Sequence, residues 1–192
     1  MKTLLYTVGI IVGCTFTLRA QDTAKCPIIG KSKSIKVQGL NYLRNRPIVS
    51  KPIDPKTNID TILKSGSDST RFGSSWFVSV TGWVVGYEDG GPQSCNCFTH
   101  DEDNQDLVLY IAKSLNSWKD SIFTVAVTPN YKKTHGIEPD SLFGQKVTIS
   151  GYMLYDFENA KYSLNDCKNC NKAKIKTAWE IHPVVTIRKA PK

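Results

Sequence analysis

The sequence has few of the residues and motifs from which active sites are usually built. Histidine occurs only three times in 192 residues. No Gly-x-Ser-x-Gly nucleophile motif, glycine-rich phosphate loop or His-Glu-x-x-His metal motif is present. Arginine is also scarce after residue 20, and no arginine there lies beside a carboxylate cluster in the pattern of a metal-dependent nuclease. An enzyme is therefore the less favoured class of function.

Long apolar runs are missing except at the N-terminus. In residues 1–20, Lys2 precedes an apolar stretch that is too short to span a bilayer. This order, with Ala20 directly before the expected cleavage site, predicts a secretory signal peptide. Alternatively, residues 11–14 resemble a lipobox, which would make Cys14 a lipid anchor. Both routes predict an exported chain (periplasmic, on the outer surface or secreted) with no transmembrane helix in its mature part.

Composition and charge place the rest of the chain among globular proteins. The apolar fraction of 40% is too high for a disordered chain, and the formal net charge is +8. We expect an N-terminal extension over residues 21–57 and one domain over residues 58–192. The extension is either an ordered strap or a flexible stalk, with weak strand-like pieces at Ser34–Gln38 and Ile48–Val49.

Five segments have the alternating, β-branched pattern of strands: residues 76–87, 106–112, 122–128, 145–156 and 177–188. The first and fourth contain central glycines, Gly82 and Gly151, which are typical of bent barrel strands. Residues 58–64 and 132–143 each predict a short helix. This order predicts a mainly β fold: a five-stranded OB-like barrel (oligonucleotide/oligosaccharide-binding barrel), with one helix before strand 1 and one between strands 3 and 4.

Five cysteines follow residue 20, and in an oxidising compartment we expect them to pair. Cys95 and Cys97 lie in the loop after the first strand, and Cys167 and Cys170 lie in the loop before the fifth. The preferred prediction is one or two disulfides between these loops, with a four-thiolate zinc site as the alternative. Cys26 is the odd one: it stays unpaired, or it pairs with one of the four and leaves another free.

Basic and aromatic residues together favour a binding function. Four lysines, among them Lys168, lie in the loop that enters the fifth strand, which borders the usual ligand face of an OB barrel. Three aromatic side chains on the strands could stack on bases or sugars. The alternative is that these aromatics belong to the core and the charge only adds solubility. The candidate binding residues are Trp83, Tyr110, Tyr152, Lys172, Lys174 and Lys176.

Glu180 and His182 are the strongest pair for chemistry. Their spacing places both side chains on one side of the fifth strand, where they could do acid–base work or form half of a metal site. The alternative is that they only join the strand to a neighbouring loop by hydrogen bonds. We therefore predict a binding or structural module for an oligosaccharide, nucleic acid or protein, with no cofactor and no metal site. The second hypothesis is a hydrolase or metal-dependent enzyme that uses Glu180 and His182.

Three short segments carry a resemblance to a known family: residues 90–97 (GGPQSCNC), 151–156 (GYMLYD) and 179–184 (WEIHPV). Over roughly residues 58–189 the chain resembles an uncharacterised family of exported bacterial OB-fold-like proteins. The resemblance implies the barrel fold and no particular activity. Its most specific part is the fingerprint of the closing strand, which consists of Trp179, Glu180, His182 and Pro183.

Two features depart from that family pattern. Asn159 stands where the resemblance implies a histidine, which argues against a site built from two histidines. The pair Cys167 and Cys170 is additional to the pattern, which favours a local disulfide between these two residues.

Overall fold

The five predicted strands are all present and close into one barrel. The structure, a computed structural model, describes residues 26–49, 51–117, 119–168 and 170–191. Its strands are β1 (Phe77–Asp89), β2 (Leu107–Ala112), β3 (Ile122–Val127), β4 (Lys146–Tyr155) and β5 (Trp179–Lys189). The order around the barrel is β1-β2-β3-β5-β4, with β3 and β5 parallel and the other pairs antiparallel. This is the order of an OB barrel, so the predicted fold is confirmed.

Short helices flank the barrel. They are α1 (Ile35–Arg44), α2 (Ile59–Ile62), α3 (Pro129–His135) and α4 (Pro139–Leu142). The predicted helix before β1 is α2. The prediction of one helix between β3 and β4 is wrong, because two helices lie there. Gly136 ends α3 with a left-handed φ of 57°, and Pro139 begins α4. None of the helices in the described ranges is long and apolar enough to cross a membrane.

The predicted signal peptide, residues 1–20, and the predicted lipid anchor at Cys14 lie outside the described residues. The described part of the extension, residues 26–49 and 51–57, is an ordered N-terminal strap that packs on the barrel. The strand-like interpretation of Ser34–Gln38 is wrong because this segment begins α1, where the Ser34 hydroxyl accepts a hydrogen bond from the Val37 N–H. Ile48 and Val49 likewise lie outside any strand.

The barrel interior is filled by alternate residues of all five strands. Buried members of this core include Val78, Val80, Leu109, Ile111, Phe123, Val125, Ile149, Met153 and Ile181. Gly151 lets β4 and β5 approach closely at a bend, where their pairing register shifts. A Cβ atom at residue 151 would lie 2.5 Å from the Ile181 Cγ2 atom and 2.5 Å from the Pro183 carbonyl oxygen.

We predict that Gly151→Ala lowers the free energy of unfolding by about 1–3 kcal/mol, because the added methyl group overpacks the β4–β5 contact. Gly39→Ala, on α1, is the matched control, since a Cβ atom at residue 39 would have no neighbour within 4 Å. That control should raise stability by roughly 0.5–1 kcal/mol. Urea unfolding monitored by circular dichroism measures both variants, and a stable Gly151→Ala protein would contradict the packing described.

Two disulfides are present in the described residues, and neither joins the two loops. Cys26 is bonded to Cys97, with their Cα atoms 5.6 Å apart, and Cys167 is bonded to Cys170, with theirs 5.4 Å apart. Cys95 is free and buried. The preferred prediction of disulfides between the loops is therefore wrong, while a local Cys167–Cys170 bond and a partner for Cys26 are confirmed.

The turn between β1 and β2 explains this pairing. A 3₁₀ turn at Ser94–Asn96 directs Cys95 inward, so that its Sγ atom lies 4.0 Å from Asp106 Oδ2. Cys97 follows with a left-handed φ of 57° and meets Cys26 of the N-terminal strap. The zinc alternative is excluded because three of its four thiols are oxidised.

We predict that Cys95 resists alkylation in the native protein at mildly alkaline pH. Burial raises the pKa of its thiol to about 12, and only the thiolate reacts with iodoacetamide. Peptide mapping after alkylation should find Cys95 unmodified in the native state and modified in guanidinium chloride. The four remaining cysteines should be found as the disulfides Cys26–Cys97 and Cys167–Cys170. Linkage of Cys95 to Cys167 or Cys170 would contradict the structure.

Candidate functional site

A polar cleft of about 210 Å³ lies on the outer face of β2, β3 and β5. It is bordered by the loop after β1 and the loop before β5, which is where OB barrels commonly bind ligands. The side chains that form it include Asp106, Tyr110, Thr124, Asp156, Glu180 and His182. These residues and their immediate neighbours form the cleft.

Strand alternation places the two central side chains of the cleft. Ile181 is fully buried in the barrel core, so Glu180 and His182 on either side of it both point to the outer face. The prediction that this pair shares one side of the strand is therefore confirmed. The fold covers both residues deeply, and His182 is only 2% exposed.

Glu180 orients the imidazole ring of His182. Oε1 of Glu180 lies 2.9 Å from Nδ1 of His182, and Oε2 accepts from the Thr124 hydroxyl at 3.4 Å. Because a carboxylate can only accept, Nδ1 donates its proton to Glu180. Within the described part of the chain, Nε2 is buried and has no hydrogen-bond partner. The nearby carboxylate oxygen Asp106 Oδ2 lies 3.7 Å away.

Helix α1 contributes a buried cation to the same cleft. Arg44 is 2% exposed, and its Nη2 lies 2.7 Å from Asp156 Oδ2 while its Nη1 lies 3.0 Å from Glu158 Oε2. Burial opposes the charge, but the Asp156 carboxylate outweighs it and the pKa of Arg44 is raised. Asn159 also donates to Asp156 Oδ2, at 2.8 Å. The positive charge of Arg44 is therefore already paired within the protein.

At the mouth of the cleft, Tyr110 and Glu88 lie on the neighbouring strands β2 and β1. Burial and a hydrogen bond with Glu88 raise the pKa of Tyr110. The phenol therefore stays neutral at physiological pH, and its half-buried ring offers a flat surface beside the carboxylates.

The structure brings together four of the residues singled out from the sequence. Tyr110, Lys174, Glu180 and His182 line the cleft. The other two lysines lie outside it: Lys172 is exposed in a 3₁₀ turn, and Lys176 Nζ donates to the Ser65 hydroxyl at 2.9 Å.

The remaining singled-out residues have structural contacts. Trp83 is half-buried on β1, opposite Ala112 of β2. Tyr152 is buried, and its hydroxyl donates to the carbonyl of Val49 in the N-terminal strap. Trp179 is buried against Phe72, with ring centroids 5.3 Å apart. Pro183 follows His182 through a cis peptide bond and is buried.

The sequence did not reveal three other members of the cleft: Arg44, Asp106 and Asp156. Asp106 immediately precedes β2 and Asp156 immediately follows β4, so a polar residue at a strand end was the available signal. Arg44 carried no such signal because it reaches the cleft only through the docking of α1.

A larger groove of about 520 Å³ lies between α1 and the end of β4. It is mainly apolar and is lined by aromatic residues such as Phe72, Tyr155 and Phe157. Its cation, Lys36, lies over the Phe157 ring at 4.1 Å from the centroid. The groove does not contain the buried unpartnered atom that marks the cleft.

Metal binding finds no support in the described residues. No group of three or more His, Cys, Asp or Glu side chains among them is arranged to hold a metal ion. Comparison with known proteins also adds no function: no family model matches the sequence, and no curated protein is significantly similar to it. The functional argument therefore depends on the geometry of the cleft.

We predict that Asp156→Asn lowers the free energy of unfolding by about 3–5 kcal/mol, because it removes the buried partner of a buried guanidinium group. Glu158→Gln is the matched control, since Glu158 is the second carboxylate paired with Arg44 and its side chain is 40% exposed. That control should cost about 1 kcal/mol or less. If urea unfolding gave equal losses of unfolding free energy for the two variants, the Arg44–Asp156 pair would not be what fastens α1 to the barrel.

Proposed function

We propose that this chain is an exported OB-barrel binding module that takes one sugar unit of an oligosaccharide in the cleft. The observation that carries the proposal is the buried Nε2 atom of His182, which has no hydrogen-bond partner among the described residues. Buried polar atoms in native proteins are nearly always paired. A ligand hydroxyl group, which can both donate and accept, would supply the missing hydrogen bond to Nε2.

The size and polarity of the cleft support a saccharide. Its volume of about 210 Å³ is below the roughly 300–1,000 Å³ of sites for drug-sized ligands, so it suits a single ring. The carboxylates of Asp106 and Glu180 accept hydrogen bonds, which sugar hydroxyls can donate. The half-buried ring of Tyr110 provides a surface on which a sugar ring can pack.

The charge of the cleft argues against a nucleic acid ligand at this face. Among its described residues, carboxylates outnumber cations four to two. Arg44 is paired with Asp156 and Glu158, which leaves Lys174 as the cleft cation that has no ion-pair partner among the described residues. Affinity for a phosphate backbone depends on unneutralised Lys and Arg. The net charge of +8 therefore does not translate into a basic ligand face.

Export is supported by the redox state of the described cysteines. The bonds Cys26–Cys97 and Cys167–Cys170 suit an oxidising compartment and are rare in the cytosol. Together with the predicted signal peptide, they favour a periplasmic, surface or secreted location. We also propose membership of the exported OB-like family that the closing strand resembles.

A second candidate function is hydrolysis of the bound glycan. The hydrogen bond between Glu180 and His182 holds Nε2 toward the cleft, as a general base that takes a proton from water requires. In this case the chain would shorten the oligosaccharide that it binds, and His182→Gln would abolish turnover.

We predict that the chain binds trisaccharides, tested with cellotriose, triacetylchitotriose and the trimer of glucosamine by calorimetry. Val108→Trp fills the cleft from β2 and should weaken binding by roughly tenfold or more, whereas Thr81→Trp, at an exposed position of β1, should not. Because neutral sugars release no counterions, the affinity for cellotriose and for triacetylchitotriose should barely depend on salt. Failure of all three sugars to bind, or tight salt-sensitive binding of a thymidine oligonucleotide, would contradict the proposal.

A further inference from the structure

We infer that the N-terminal strap docks the protein onto an anionic lipid bilayer, with the exposed aliphatic side chains and the lysines of the strap facing the lipid. This inference goes beyond the proposed function, because it concerns the strap and not the ligand of the cleft. It follows from three features of the strap: its charge, its exposed apolar side chains and the orientation of α1.

The first feature is that the strap carries an excess of positive charge that the barrel does not share. Residues 26–57 contain seven Lys and Arg but only one Asp and no Glu, whereas residues 58–192 contain fifteen Lys and Arg and fifteen Asp and Glu. The barrel domain is therefore formally neutral. The single acidic residue of the strap, Asp54, accepts a hydrogen bond from the Thr57 hydroxyl. The positive charge is thus concentrated on one segment of the molecule.

The lysines of the strap can reach a partner, while its arginines are engaged within the protein. Arg44 pairs with Asp156 and Glu158, and the guanidinium group of Arg46 lies over the Tyr152 ring at 4.6 Å from the centroid. Five lysines of the strap are exposed and have no ion-pair partner among the described residues: Lys31, Lys33, Lys36, Lys51 and Lys56. Their charge is therefore directed at solvent without compensation.

The second feature is a concentration of exposed apolar side chains. Of the twelve large apolar side chains that are exposed in the described residues, seven belong to the strap, although the strap is less than a fifth of those residues. They are 39–84% exposed: Ile28, Ile29, Ile35, Tyr42, Ile48, Val49 and Ile53. Single exposed apolar residues are normal on a protein surface, whereas such a concentration marks an interaction surface.

The third feature is that α1 turns an apolar face away from the barrel. Ile35 and Tyr42 lie two helical turns apart and so share one face, where Ile35 is 84% exposed and Tyr42 is 48% exposed. The other side of the helix buries Leu40 and Arg44. A surface helix ordinarily directs polar residues outward. The outward face of α1 therefore offers apolar contacts that the barrel does not use.

The segment before α1 lies beside this helix. Nδ2 of Asn41 donates to the Ile29 carbonyl at 3.0 Å, and Nδ2 of Asn45 donates to the Ile28 carbonyl at 3.1 Å. The side chains of both isoleucines are exposed. Apolar side chains of two neighbouring segments of the strap are therefore held close to each other by hydrogen bonds within the strap.

A bilayer that contains anionic lipids accounts for all three features. Interfacial segments combine lysines with apolar side chains that enter the boundary between headgroups and acyl chains. Each lysine near an anionic leaflet adds to the attraction. Six of the seven exposed apolar side chains are aliphatic, whereas nucleic acids stack on aromatic side chains. A protein partner needs a surface of complementary shape, while a bilayer accepts apolar side chains at any spacing.

Vesicle flotation tests the inference with the chain from Gln21 onward, so that the apolar stretch of residues 1–20 cannot contribute to binding. Vesicles of phosphatidylcholine alone are compared with vesicles of phosphatidylcholine and phosphatidylglycerol in equal parts. We expect roughly tenfold stronger binding to the phosphatidylglycerol vesicles at low salt. This preference should decrease as added salt screens the charges.

Two double variants separate the contribution of charge from that of apolar contact. Lys31→Gln with Lys33→Gln should weaken binding to the phosphatidylglycerol vesicles roughly tenfold, because both lysines contribute to the attraction. Ile35→Ser with Tyr42→Ser should also weaken it roughly tenfold, because the outward face of α1 loses its apolar side chains. All four side chains are exposed, so urea unfolding should stay unchanged and show that both variants are folded.

Lys146→Gln with Lys172→Gln is the matched control, because it removes the same charge from exposed positions of the barrel domain. This variant should bind within about twofold of the unaltered chain. Absence of binding to the phosphatidylglycerol vesicles, equal binding to both kinds of vesicle, or an equal loss in the control would overturn the inference. Binding to polyglutamate without binding to vesicles would also overturn it, in favour of an acidic protein partner. None of these outcomes affects the proposed function of the cleft.

Discussion

The hydrogen bond between Glu180 and His182 organises the cleft on which the proposed function depends. It directs Nδ1 of the ring toward Glu180, and so it holds Nε2 on the opposite side of the ring, buried and without a hydrogen-bond partner among the described residues. If this bond were absent, the ring could turn, and Nε2 would no longer be held in its present place 3.7 Å from Asp106 Oδ2. The cleft would then lose the unpaired buried atom that a ligand can bind.

The barrel supports this arrangement from three directions. β5 carries both residues of the pair, the start of β2 carries Asp106, and the end of β4 carries Asp156. The N-terminal strap completes the wall, because Arg44 reaches Asp156 and the Cys26–Cys97 bond ties the strap to the loop after β1. A segment outside the barrel is thus fastened to it twice, by a disulfide that precedes α1 and by a buried ion pair from the last residue of α1.

The sequence predicted the features that depend on local patterns. Alternation and central glycines located all five strands, and the spacing of Glu180 and His182 placed them on one face. Helix α1 was missed because Ile35 and Val37 look like strand residues, and its stability depends on burying Arg44 against the distant Asp156. The Cys26–Cys97 pair and the meeting of Asp106 with His182 were likewise set by contacts between remote segments, which no local pattern reports.

The most direct test of the account is the nitrogen NMR spectrum of the His182 imidazole ring. The account predicts a proton on Nδ1, held by Glu180, and an Nε2 resonance that shifts when a trisaccharide bound by the chain is added to saturation. An Nε2 resonance that the saturating trisaccharide leaves unchanged would contradict it.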